Sequence, residues 1–199
     1  MKLLIATENK GKIRELQALL TGLNIQLVTP KEIGLDLKVE EDGSTYAENA
    51  TKKALAYANA SGLLSLADDS GLEVDPLNGE PGLYSARYSP KPNPTDKDRR
   101  DHLLMKIKEL PKPWTARFRA TVVIADPSGI KGVFAGHREG EIVSEERGNN
   151  GFGYDPIFFI PERNCTMAQL PEAEKNRISH RAVAVEKALE LLRKLTAEK

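Results

Sequence analysis

Leu3-Leu4-Ile5-Ala6-Thr7-Glu8-Asn9-Lys10-Gly11-Lys12-Ile13 is the stretch on which the reading of this chain turns. Four consecutive apolar residues bounded by a polar turn predict a strand buried on both faces. Behind the turn, Ile13, Leu16, Leu19 and Leu20 recur at helical spacing. Strand, tight turn and helix in that order predict an α/β fold, and such folds bind ligands where strand ends meet helix starts.

Outward from this unit the pattern continues. Ile25 to Val28 predict a second strand. An acidic connection through Val39-Glu40-Glu41-Asp42-Gly43 leads to a helix capped by Ser44 or Thr45, which runs to about Ser61 and stops at Gly62. Leu63 to Ala67 return as a strand that ends in Asp68-Asp69-Ser70-Gly71. From Gly71 to Pro94 glycine and proline predict loops, with a short hairpin near Leu83-Tyr84-Ser85-Ala86-Arg87-Tyr88. Asp96 to Leu110 form a charged helix with Leu103, Leu104 and Ile107 inward, closed by Pro111 and Pro113. Ala116 to Ala125 and Lys131 to Arg138 alternate with period two around Asp126-Pro127-Ser128-Gly129, a long hairpin that could build a second lobe. Ile157 to Ile160 add a strand, and one last helix from about Ser179 to Leu195 carries Val183, Val185, Ala188, Leu189 and Leu192.

Composition narrows the classes. A chain of 199 residues can bury a full core as one domain, pinched or not into two lobes. Its 29 basic and 29 acidic residues cancel, so no global field holds a nucleic-acid backbone or an anionic membrane. Phosphate binding, if present, is local. The single cysteine, Cys165, fits a reducing cytosol and has no base beside it. The apolar start is too short for a signal peptide or membrane span, which leads to the expectation of a soluble cytoplasmic protein.

Three stretches carry chemistry. Thr7, Glu8, Asn9, Lys10, Gly11 and Lys12 crowd a helix start, where backbone N–H groups, a hydroxyl and cations converge on one anion. The same residues would also serve as a plain helix cap with solvated lysines. Asp68 and Asp69 come next, beside Ser70, whose hydroxyl suits a phosphate oxygen. If the strand continues through both aspartates, their side chains point to opposite faces, and Asp69 is the expected working carboxylate. Glu40, Glu41 and Asp42 are candidate additional ligands for Mg²⁺, a hard cation that takes one or two protein carboxylates plus phosphates. Thr45 and Glu48 fit a capping box. Asn49 and Lys53 share one helix face and could reach a triphosphate together. In the third stretch, Gly151-Phe152-Gly153-Tyr154-Asp155-Pro156, the aromatic rings offer a surface for a base, or else plug a core. Lys175, His180 and Arg181 bring donors suited to a carbonyl-bearing base.

Taken together, Thr7-x-Asn9-x-x-Lys12, Ala67-Asp68-Asp69-Ser70-Gly71-Leu72, Pro81-Gly82-x-Tyr84-Ser85-Ala86-Arg87-Tyr88, Gly151-Phe152-Gly153-Tyr154-Asp155-Pro156 and Ser179-His180-Arg181 resemble the inosine/xanthosine triphosphate pyrophosphatase family in order and spacing. The resemblance spans essentially the whole chain. It implies a mixed, twisted sheet with flanking helices, two lobes around a nucleotide cleft, and a homodimer. The implied activity is Mg²⁺-dependent hydrolysis of ITP, dITP and XTP to the monophosphate and pyrophosphate. Thr7 to Lys12, Lys53 and Ser70 would hold phosphates, and Asp69 would bind or orient Mg²⁺ and activate water. Either Glu40 or Glu41 would be the loop metal ligand, and Phe152, Gly153, Tyr154, Asp155, Lys175, His180 and Arg181 would form the base and sugar pocket. Hypoxanthine and xanthine present O6 as an acceptor where adenine presents a donor, so donors from Arg181 or His180 would reject adenine. Alternatives are a pyrophosphatase for a modified pyrimidine triphosphate and a nucleotide sensor that does not hydrolyse. An RNA-binding module fits poorly with zero net charge.

Overall fold

The computed structural model describes residues 1–197. In chain order the elements are β1 (Lys2–Ile5), α1 (Lys10–Leu19), β2 (Gln26–Val28), α2 (Tyr46–Ser61), β3 (Leu64–Val74), α3 (Asp96–Ile107), β4 (Thr115–Asp126), β5 (Gly129–Ile142), β6 (Phe158–Ile160), β7 (Cys165–Thr166), α4 (Glu172–Ile178) and α5 (His180–Ala197). The strands form one mixed sheet in the order β2-β1-β3-β4-β5-β6-β7. β1 pairs in parallel with β2 and with β3, whereas β5 with β6 and β6 with β7 are antiparallel. No helix among the described residues is long and apolar enough to cross a membrane.

The chain divides into two compact units. The first comprises residues 1–69, 120–136 and the chain from 181 on, and the second residues 70–119 and 137–180. In the first unit, strand alternation sorts the apolar residues into two cores. Leu3, Ile5, Leu66, Val122 and Ile124 pack with Leu16 of α1, its C-cap Leu20, and Val185, Ala188 and Leu192 of α5. Leu4, Ala6, Ala67, Val123 and Ala125 pack with Ala50, Ala54 and Tyr57 of α2. Helices therefore cover both faces of these strands, which is why β1 reads as an unbroken apolar run. The second unit has its own core, in which Leu103 and Ile107 of α3 meet Leu72, Val74, Phe118, Tyr154 and Phe158.

Two expected elements differ, and one helix is additional to those expected. β3 does not end at Ala67 but runs on through Asp68, Asp69, Ser70 and Gly71 to Val74. Residues that disfavour strands are tolerated there because ion pairs compensate the buried aspartates. Leu83 to Tyr88 form no hairpin; Gly82–Arg87 wind as a 3₁₀ helix, with Ser85 Oγ donating to the Gly82 carbonyl and accepting Leu72 N–H. The last helix begins at His180, in line with the expected start near Ser179, and the additional helix α4 precedes it, the two separated by Ser179 in an extended conformation, φ −68° and ψ 155°.

Candidate active site

The carboxylate and lysine set lies in the first unit. Asn9 caps α1 by accepting Lys12 N–H at 3.1 Å, and Thr7 Oγ1 accepts Asn9 N–H at 3.2 Å, so the helix cap expected from this turn is present. Glu8 and Lys10 are exposed and Gly11 is half-buried. Lys12 instead turns inward. Its Nζ lies 2.9 Å from Asp68 Oδ2 and donates to the Asp68 carbonyl at 3.2 Å. From α2, Lys53 Nζ donates to that same carbonyl at 2.9 Å. Two ammonium groups from different helices thus converge on one peptide oxygen of β3.

Because β3 continues through the acidic pair, its aspartates separate onto opposite faces. Asp68, fully buried, faces α1 and α5. Arg181 donates to its Oδ2 from both Nε and Nη2, at 3.2 and 3.1 Å, and the other side of the guanidinium meets Glu15. Asp69, 6% exposed, faces α2. Its Oδ2 accepts from Asn49 Nδ2 at 3.1 Å, and its Oδ1 lies 3.5 Å from Lys53 Nζ. Lys53 also pairs with Glu41 at 2.9 Å, while Glu40 is exposed. Asn49 further accepts the Gly43 N–H at 2.8 Å, which ties the acidic loop to α2. The Thr45 hydroxyl caps α2 as expected, accepting Glu48 N–H at 3.1 Å. The Glu48 carboxylate returns to the N–H of Ser44 rather than to that of Thr45.

These surroundings pull the two carboxyls apart in acidity. Burial opposes ionisation of Asp68, but Arg181 and Lys12 outweigh it and hold the group far below the usual carboxylate range. For Asp69 burial prevails. Lys53 and Lys12 counter it only in part, Glu41 adds to it, and the carboxyl pKa is raised. Lys12 is lowered by burial, with Asp68 opposing and Lys53 and Arg181 assisting. A strongly held carboxylate beside one made more basic is an arrangement in which the first is structural and the second can take a proton. Among the described residues no three His, Cys, Asp or Glu side chains cluster as a closed metal cage. Glu41 and Asp69, two hard oxygen donors sharing one ammonium, match the sparse protein ligation that Mg²⁺ accepts when phosphates and water complete its shell.

The aromatic motif lies in the second unit. Gly151 has φ +75°, and a Cβ there would stand 2.0 Å from Asp155 Oδ2, so only glycine fits. Asp155, buried, accepts Phe152 N–H at 2.9 Å and pairs with Lys175, whose Nζ lies 5.0 Å from the Phe152 ring centre. His180 stacks on Phe118 with centroids 4.8 Å apart. Tyr154 is a core residue instead of an open stacking surface: it is buried, and its hydroxyl donates to the Ser85 carbonyl at 2.8 Å. Ser70 follows Asp69 on β3, half-buried.

Arg181, expected at the base, is 1% exposed and spends its guanidinium on Glu15 and Asp68 in the first unit. Glu15 is a site residue that the sequence does not single out. Its only trace in the sequence is a charged residue one turn on from Lys12, directly before Leu16 in the apolar stripe.

The sequence pattern of the Ham1 family matches residues 3–191. The chain belongs to the Ham1 family. It is 48% identical to a protein of Desulforamulus reducens named dITP/XTP pyrophosphatase, over 98% of this chain and 97% of that one. A protein of the same name from Geobacter sulfurreducens is 47% identical over 92% of each. Among solved structures, a HAM1 protein from Coxiella burnetii superposes with a TM-score of 0.86 at 38% identity. The Staphylococcus aureus Ham1 protein does so at 0.84 and 40%, and each match covers all of both chains. Like those Ham1 structures, this one is an α/β protein built on a mixed sheet with flanking helices.

Proposed function

We propose that this Ham1 protein hydrolyses non-standard purine nucleoside triphosphates, ITP, dITP and XTP, to the monophosphate and pyrophosphate. The observation that carries the reading is the Asp69 carboxylate, made more basic by burial, held by Asn49 and facing Lys53, whose ammonium it shares with Glu41. The relatives named dITP/XTP pyrophosphatase support it.

In the proposed reaction water attacks the α-phosphorus, the bond from that phosphorus to the α,β-bridging oxygen breaks, and pyrophosphate leaves with the bonding electrons. Asp69 receives the proton of the attacking water. Lys12 and Lys53, with Thr7, Asn9, Lys10, the Gly11 backbone and Ser70, hold phosphate oxygens. Glu41 and Asp69 would hold Mg²⁺, which when bound supplies positive charge to the triphosphate. Asp68 orients both lysines through its carbonyl, and Arg181 acts through Asp68. Phe152, Lys175 and His180 are assigned to the base, with donors toward O6 that oppose the amino group of adenine. A homodimer in the cytoplasm belongs to the same proposal.

Pyrophosphate release from ITP, dITP, XTP, ATP and GTP, each with and without Mg²⁺, tests the reading. Turnover confined to the first three and abolished by EDTA is expected. Asp69→Asn should lower kcat by about 10²-fold or more. No turnover of any triphosphate, with binding retained, would replace the enzyme by a sensor. Turnover of modified pyrimidine triphosphates alone would replace the substrate class.

A further inference from the structure

The loop from Gly151 to Asp155 turns on two left-handed glycines, with φ +75° at Gly151 and +62° at Gly153. Its first half is fixed from within, by Asp155 on Phe152 N–H and by Lys175. Its second half is fixed from α3. Asp96 Oδ2 accepts Gly153 N–H at 2.8 Å, and Arg100 Nη1 donates to the Gly153 carbonyl at 2.8 Å. Donor and acceptor of one residue are thus both taken by side chains one turn apart on a single helix. Arg100 is itself held at Nε and Nη2 by the two carboxylate oxygens of Glu146, each at 2.9 Å. A bidentate pair of this kind fixes the guanidinium plane. A capping box between Thr95 and Asp98 fixes the helix start that carries Asp96.

Tyr154 anchors the end of the turn in the core, but no packing contact holds Gly153 itself, where a Cβ would meet nothing within 4 Å. At Gly153 the hydrogen bonds from α3 fix the backbone. We propose that Asp96 and Arg100 are positioning residues that preset the Phe152–Tyr154 turn before nucleotide arrives. The inference rests on Gly151–Asp155 being the base-side loop. Without the clamp, substrate binding would have to order the turn, and that cost would appear in affinity. Bond breaking, assigned to Asp69 and the lysines, would be spared.

Steady-state kinetics on ITP with Asp96→Ala, Arg100→Met and Asp96→Asn tests this, alongside inhibition by inorganic tripolyphosphate, which has the phosphates but no base. Asp96→Ala and Arg100→Met are expected to raise KM about tenfold or more, with kcat within about threefold. The tripolyphosphate inhibition constant should not move. Asp96→Asn keeps an acceptor for Gly153 N–H and should restore KM. Unchanged KM in the first two variants would overturn the proposal, as would an inhibition constant that rises with KM, or Asp96→Asn as impaired as Asp96→Ala. If a variant fails to fold, Glu146→Gln loosens the clamp from a side chain 34% exposed, where a smaller KM rise is expected and none would overturn it. Failure of the unmodified protein to hydrolyse ITP would overturn the underlying reading, and would show before any variant was made.

Discussion

Neighbouring aspartates on β3 meet opposite surroundings because successive strand side chains point to opposite faces. That alternation makes the separation of Asp68 from Asp69 legible in the sequence. It could not reveal that Asp68 would pair with Arg181, 113 residues on, or that Arg181 would reach back 166 residues to Glu15. Tyr154 marks the opposite limit. An aromatic among glycines suggests a stacking surface, and only packing decides that it is an anchor bonded to Ser85. Burial raises its phenol above the ordinary tyrosine value. Below about pH 10 both folded and unfolded states keep the proton, so Tyr154 confers no pH dependence. Above it the unfolded chain ionises first, and stability falls as pH rises. Tyr154→Phe should cost about 1 kcal/mol at neutral pH and flatten the alkaline loss, read from urea unfolding between pH 7 and 11.

At the scale of elements, helix starts were the most legible features, because capping chemistry is local. Thr45 caps α2 as its sequence predicts, and Thr95 caps α3 by the same local chemistry. Thr45→Ala should destabilise by about 1 kcal/mol in thermal or urea unfolding. Turnover would suffer more than that figure suggests if fraying of α2 reaches Asn49, which links Asp69 to the Gly43 loop. Strand ends were less legible. Asp, Ser and Gly ordinarily stop a strand, yet β3 continues because buried cations from α1, α2 and α5 compensate its carboxylates. The start of α5 agrees with the boundary expected near Ser179, whereas the seven residues of α4, with Ala173 and Ile178 as their apolar positions, are too short to carry a helical period.

Over the whole molecule, zero net charge conceals a concentrated arrangement in which Glu15, Asp68, Asp69, Lys12, Lys53 and Arg181 are withdrawn from solvent within one unit. The second unit buries the Asp155–Lys175 pair beside a larger apolar core. Phe158, fully buried, lies 4.4 Å from Phe118, which in turn stacks on His180. Phe158→Ala should cost about 3–5 kcal/mol in urea unfolding, and loosen His180 enough to show as broadened ring resonances by NMR. The sequence by itself determined the α/β class, the cap at Thr45 and the grouping of motifs that marks the family, all of which follow from periodicity, local hydrogen bonding and motif order. Only the tertiary structure decided the partner of Arg181, the role of Tyr154, the continuation of β3 and the clamp from α3 on Gly153. Each of these depends on side chains distant in sequence meeting in a desolvated setting, where electrostatic and packing energies outweigh local propensity.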